Sequence, residues 1–162
     1  MRKAIVYATR YGFTAEVAAA LRDRLGRDTE LFDLAVAGDV DPEPYDVVVL
    51  GSSVYMGRVQ RAMRNYVERY RTRLAAKRYG LYICAANPDP LVREQELRAA
   101  YFPLSCEGAA ATAVLGHAVR FERLGLVDRF VARAVLPEGS VREPSEEELD
   151  RFAERLLSGT PS

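Results

Sequence analysis

The chain has no tryptophan, one histidine and two cysteines among its 162 residues. A tetrahedral metal site takes about four ligands, so Cys84, Cys106 and His117 are too few to build one and no metal is expected. Two thiols likewise make no disulfide framework, and both read as small buried apolar residues. No stretch approaches the ~20 apolar residues of a membrane span. Arg2 and Lys3 lead straight into an apolar run, which leaves no room for a signal peptide and sets cytoplasmic residence as the expectation. The 23 basic residues are matched by 23 acidic ones. A chain without net charge has no global attraction for a polyanion, so nucleic acid is not an expected partner.

The most informative segment is Ala4-Ile5-Val6-Tyr7-Ala8-Thr9-Arg10-Tyr11-Gly12-Phe13-Thr14. It reads as a buried strand, a turn bearing hydroxyls and a glycine, and a helix that starts at once. The amides of such a turn converge on one spot where the helix dipole favours negative charge, and two threonine hydroxyls add donors. Gly12 tolerates positive φ and lets the backbone approach an oxyanion. No lysine follows the glycine, which excludes a nucleoside-triphosphate loop, and the G-x-G-x-x-G spacing of a dinucleotide site is missing. A loop for one terminal phosphomonoester remains, beside the plainer reading of a strand-to-helix turn without a ligand.

Strand and helix patterns alternate along the rest of the chain. Continuous apolar runs at Ala4–Ala8, Val47–Leu50, Leu81–Ala86 and Ala113–Leu115 predict strands covered on both faces, and Glu30–Leu34 predicts an edge strand. Helical spacing predicts helices over Phe13–Leu25, 60–74 and about 92–101. Ser145 with Glu148 forms a capping box for a last helix that Gly159 ends. These elements predict one doubly wound α/β domain over 1–162, a five-stranded parallel sheet in the order 2-1-3-4-5 with helices on both faces. Ligands of such sheets sit at the carboxyl ends of the strands beside the switch point. That directs attention to Gly51-Ser52-Ser53-Val54-Tyr55-Met56-Gly57-Arg58, where Tyr55 and Met56 offer a flat apolar wall, Ser52 and Ser53 hydrogen bonds, and Gly51 and Gly57 backbone freedom close to the ring.

The pattern Thr9-x-Tyr11-Gly12-x-Thr14 resembles the FMN-phosphate loop of flavodoxins, with Tyr11 in place of a small hydroxyl residue. Together with Gly51–Gly57, Gly116-His117-Ala118-Val119-Arg120 and Val127-Asp128-Arg129-Phe130, it is similar to the flavodoxin-domain group that includes quinone-linked protoporphyrinogen oxidases. The resemblance spans nearly the whole chain. It implies FMN as cofactor, with Thr9, Arg10, Tyr11, Gly12, Phe13 and Thr14 holding the phosphate. Ser52, Ser53, Val54, Tyr55, Met56 and Gly57 would face the flavin ring, and the backbone of Ala85, Ala86 and Asn87 its carbonyl edge. The loop Ala86–Pro90 lacks the aromatic residue that flavodoxins often stack there, which leaves one ring face open. A segment at about 121–143, before the last helix, is shorter and less basic than the family's insertion and reads as either a packing helix or a lid.

Three functions stay open on these residues. One is an FMN-dependent oxidoreductase that takes electrons from a reduced organic substrate, such as a porphyrinogen, to a quinone, with peripheral membrane contact implied by the resemblance. The second is a flavodoxin-type carrier serving a redox protein, and the third a flavodoxin fold that has lost FMN. Eight basic residues between Arg58 and Arg78 face one acid, Glu68. They read either as a solvated helix face or as a surface that steers carboxylates. No catalytic residue is singled out: His117 fits a proton relay or an imidazole simply hydrogen-bonded in place.

Overall fold

A computed structural model describes residues 1–118 and 141–159 of the chain. Its centre is a parallel sheet of β1 (Lys3–Ala8), β2 (Glu30–Asp33), β3 (Val47–Tyr55), β5 (Arg78–Cys84) and β6 (Ala111–Val114), in the spatial order β2-β1-β3-β5-β6. This is the expected five-strand order, with one addition: β4 (Arg58–Val59) folds back antiparallel on the end of β3. The helices are α1 (Phe13–Leu25), a single turn α2 (Leu34–Ala37), α3 (Arg61–Ala75), α4 (Pro90–Ala100) and α5 (Glu146–Ser158). A two-residue ribbon pairs β7 (His117–Ala118) with β8 (Val141–Arg142). The expected insertion lies outside the described residues from 121 to 140, as do Val119, Arg120 and the Val127–Phe130 motif.

Successive strand residues point to opposite faces of the sheet, and both faces are apolar here. Ala4, Val6, Val48, Leu50, Leu81 and Ile83 pack under α3 and α4, against Met63, Val67, Leu74 and Leu97. Ile5, Val47, Val49 and Tyr82 pack on the other side against Val17, Leu21 and Leu25 of α1 and Leu149, Phe152 and Leu156 of α5. Burying each such aliphatic side chain stabilises by about 1.5–3 kcal/mol, so the helices are held chiefly by packing of one face. The start of α5 carries the expected capping box, with Ser145 Oγ accepting from the Glu148 amide and Glu148 accepting from the Ser145 amide.

The segment 51–58 departs from the loop expected there. β3 continues through Gly51-Ser52-Ser53 because neighbours on both sides hold it: Ala8 pairs with Ser52, while Tyr82, Ile83 and Cys84 pair with residues 51–53. The chain then turns in two residues, Met56 (φ 51°) and Gly57 (φ 75°), and Tyr55 pairs with Arg58. Positive φ at both central positions is the geometry that matches the twist of a two-residue hairpin.

Candidate functional site

Three chain segments converge at the carboxyl end of the sheet. The first is the β1–α1 connection. Gly12, in the left-handed region at φ 95°, forms the N-cap of α1, and no side chain caps the helix. The Gly12 amide turns back onto Thr9 Oγ1 at 2.9 Å, and the first bond within the helix runs from the Glu16 amide to Gly12 O. Helix geometry thus leaves the amides of Phe13, Thr14 and Ala15 without intrahelical acceptors at the positive end of the dipole. Thr14 is fully buried, and its Oγ1 has no hydrogen-bond partner among the described residues.

The second segment is the β3–β4 hairpin. Ser53 Oγ is also buried without a partner among the described residues. Tyr55 presents its ring to Arg10, whose guanidinium carbon stands 4.2 Å from the ring centroid. Arg10 Nε donates to the Tyr11 hydroxyl at 2.7 Å. Tyr11 therefore retains a polar role in the loop, where its phenol holds the Arg10 cation against the hairpin. Met56 is exposed at the turn.

The third segment follows β5. Asp89 caps α4 by accepting from the Leu91 amide, Pro90 begins that helix, and Asn87 Oδ1 accepts from the Asp89 amide. These bonds fix the loop Ala86-Asn87-Pro88 opposite the hairpin.

Between the segments lies a cleft with a cavity of about 160 Å³. Of the expected residues, Thr9, Arg10, Tyr11, Phe13, Thr14, Ser53, Val54, Tyr55, Met56, Gly57, Ala86 and Asn87 line it. Gly12 contributes its backbone turn. Two do not face it. Ser52 is fully buried, donates to Ser53 O and accepts from the Gln60 amide at 3.2 Å, so its hydroxyl ties β3 to the start of α3. Ala85 is buried, donates its amide to Gly116 O and lines a smaller neighbouring cavity. None of the basic residues between Arg58 and Arg78 lines the cleft.

Gly51 makes room for a neighbouring side chain. A Cβ there would stand 2.1 Å from the Tyr82 ring. The space lets Tyr82 cross the sheet and donate its hydroxyl to Thr14 O at 3.1 Å, which pins the first turn of α1.

The cleft also takes in residues the sequence reading did not assign to it: Cys84, Pro88, Glu96, His117 and Ala118. Burial pushes the Cys84 thiol up to about 12, and the neighbouring Thr14 hydroxyl offsets a little of this without making a hydrogen bond of normal geometry. Burial also raises Glu96, with Arg93 acting in the opposite direction, and Glu96 Oε2 has no partner among the described residues. His117 is lowered first by burial and then by the charges of Arg142 and Arg93. The signal for Glu96 was its place in the row Val92, Glu96, Ala100, where an acid interrupts an otherwise inward-facing i, i+4 stripe.

The described donors suit a phosphomonoester with a planar ring system. The uncapped helix start and the Thr14 hydroxyl lie on the β1–α1 side of the cleft, Tyr55, Met56 and the Ser53 hydroxyl on the hairpin side, and the Arg10 guanidinium over the Tyr55 ring joins the two. A model of the flavodoxin domain matches residues 4–141. The chain belongs to the flavodoxin-domain family. Within it, the chain is 28% identical over 149 residues to the Escherichia coli (strain K12) protein named protoporphyrinogen IX dehydrogenase [quinone], covering 84% of this chain and 79% of that protein. Among solved structures, this flavodoxin-domain chain resembles the Streptococcus pneumonia TIGR4 flavodoxin, with a TM-score of 0.57, 18% identity, and 99% and 100% of the two chains covered. It resembles oxidised Flavodoxin 1 from Bacillus cereus to the same TM-score of 0.57, at 12% identity and 99% coverage of each chain. Those two likenesses concern the fold. Among the described residues, no helix is long and apolar enough to cross a membrane.

Proposed function

We propose that this protein binds FMN in the cleft and dehydrogenates a reduced organic substrate of the porphyrinogen class, with a quinone as electron acceptor. Cofactor binding is carried by the pair of buried hydroxyls, Thr14 Oγ1 at the uncapped start of α1 and Ser53 Oγ on the hairpin, which have no hydrogen-bond partner among the described residues. A buried hydroxyl without a partner costs about 1–3 kcal/mol, which a bound acceptor or donor removes. The reaction class is supported by the likeness to the E. coli protoporphyrinogen IX dehydrogenase, which extends over most of both chains.

When bound, FMN supplies an acceptor for two electrons from an organic substrate. The chain's own residues do the rest. The amides of Phe13, Thr14 and Ala15, the Thr14 hydroxyl and Arg10 hold the phosphate. Tyr55 and Met56 flank the ring on the hairpin side, and Ser53 with the Asn87 backbone meets its polar edge. Asn87 and Pro88 put no aromatic cover over the opposite side, which leaves access for a substrate. Glu96 is the cleft carboxyl best placed to hold a proton at Oε2, because burial favours its neutral form. Contact with a membrane surface belongs to the same proposal, as the route to a lipid-soluble quinone.

The test is reconstitution with FMN followed by addition of protoporphyrinogen IX under anaerobic conditions, with and without menadione. Porphyrin fluorescence that grows only with the quinone supports the reading. Tight FMN binding without porphyrin formation would move the protein to the flavodoxin-type carriers. No binding at micromolar FMN would make it a flavodoxin fold without its cofactor.

A further inference from the structure

Beside the cleft, and sharing His117 with it as a lining residue, is a second cavity of about 80 Å³. Its walls are Ala85, Val114, Arg93 of α4, His117 of β7, and Arg142 of β8 with Glu148 of α5. The volume holds a few water molecules and therefore a small planar group.

Its charges are unevenly satisfied. Arg142 Nη2 donates to Glu148 Oε1 at 2.6 Å, and Glu148 Oε2 accepts from the Ser145 amide at 2.8 Å, so both oxygens of the one acid in the wall among the described residues are engaged. Arg93 is half-buried and has no carboxylate within ion-pair distance among the described residues. Its Nη1 donates to Asn87 O at 2.8 Å, with Pro88 O at 3.4 Å. Those carbonyls belong to the loop that forms the cleft wall, so the guanidinium is fastened to the cleft while the rest of its fork has no hydrogen bond among the described residues. Two guanidinium groups and an imidazole thus surround a small void with one acid between them. Glu96, three residues on in α4, feels the Arg93 charge but forms no ion pair with it among the described residues, and a carboxylate fits the guanidinium fork in shape and charge.

We propose that the cavity bounded by Arg93, His117 and Arg142 is a carboxylate-binding subsite that seats an acid side chain of the cleft's organic substrate. The substrate part of this proposal rests on the oxidoreductase reading above. The subsite adds a chemical requirement to that reading: the substrate carries at least one carboxylate near the ring system that meets the cofactor.

His117 is the only histidine in the chain, so its ring C–H resonances in the FMN-loaded protein are read without overlap from another imidazole. It lines both the cleft and this cavity, and the Arg93 variants separate the two. The charged groups facing it are Arg93, Arg142 and Glu148. Titration with propionate is expected to raise the His117 midpoint by about one pH unit, because an anion beside an imidazole favours its protonated form. The response is lost in Arg93→Gln and partly retained in Arg93→Lys, which keeps the charge without the fork. A wild-type midpoint that ignores propionate, or an Arg93→Gln protein that responds as wild type does, overturns the subsite.

Binding of mesoporphyrin IX and of its dimethyl ester to the same holoprotein separates the sources of the carboxylate. Diacid binding at least about tenfold tighter than ester in wild type, and equal in Arg93→Gln, supports the seating of a substrate acid. Equal binding of diacid and ester in wild type, with the propionate response intact, overturns that seating and leaves a site for free anions. Failure of both porphyrins to bind, again with the propionate response intact, upholds the subsite and overturns the porphyrinogen reading instead.

Discussion

Thr14 is the residue at which cofactor binding separates most cleanly from folding. Its methyl group packs in the core while its hydroxyl, fully buried, bonds to nothing among the described residues. Thr14→Val keeps the shape and removes the orphan. The expected outcome is unchanged or slightly raised thermal stability of the apoprotein, together with FMN affinity weakened about 10- to 100-fold. That range corresponds to the ~1.5–3 kcal/mol of a hydrogen bond to a charged group. Fluorescence titration with FMN and a thermal melt measure the two effects, and a destabilised apoprotein with unchanged affinity would show the hydroxyl to be structural. Cys84 gives a second check. Burial holds its thiol well above the ordinary range, so the reactive thiolate is scarce at pH 8. Ellman's reagent is therefore expected to leave Cys84 unmodified in the folded protein and to count two thiols only in denaturant. At this scale the sequence showed the residues that carry unusual chemistry for their position, Gly12 and the two threonines. It did not show that Ser52 faces away from the cleft. Neighbouring serines look alike until the partners of the strand decide which hydroxyl is turned inward.

The β3–β4 hairpin shows why elements were harder to read than residues. Apolar runs marked the strands because a parallel sheet buries both faces of each strand, and Ala4–Ala8 and Val47–Leu50 lie where those runs placed them. Gly51-Ser52-Ser53 carries no such mark. It is a strand only because β1 and β5 pair with it from either side, which depends on residues far away in the chain. The turn itself departs from the residues that favour it: two-residue hairpins with both φ values positive prefer Asn-Gly, and here Met56 stands at the first position. A non-glycine, unbranched residue in the left-handed region costs on the order of 1 kcal/mol. Met56→Asn is expected to recover part of this and raise the melting temperature by about 1–2 °C, while weakening FMN binding through loss of the apolar wall. Differential scanning calorimetry of the apoprotein and FMN titration give the two readings. If both stability and affinity fell, the strained methionine would be holding the hairpin together and would not be a concession to the cofactor.

Across the whole molecule, sheet order followed from local patterns and right-handed crossovers, but charge did not. The run from Arg58 to Arg78 looks like one basic face in sequence. In the fold, Arg69 and Arg73 approach Asp39 and Asp41, and Lys77 donates to the carbonyls of Glu43 and Tyr45. These acidic and carbonyl groups come from the connection between α2 and β3, some thirty residues earlier, which no local window reveals. The cleft is assembled in the same long-range way, from the ends of β1, β3 and β5 and from His117 beyond β6. A ligand that touches segments so far apart in the chain binds the folded state and has no site in the unfolded one. Stabilisation by mass action then follows: about 2.7 kcal/mol when free FMN stands at 100 times its dissociation constant. For a domain of this size that corresponds to a rise of about 5–10 °C in melting temperature. Removal of FMN by dialysis should reverse the rise, and Thr14→Val at the same FMN concentration should show only part of it. A melting temperature indifferent to FMN at that concentration would mean that FMN has no preference for the folded state, and the cofactor assignment would fall with it.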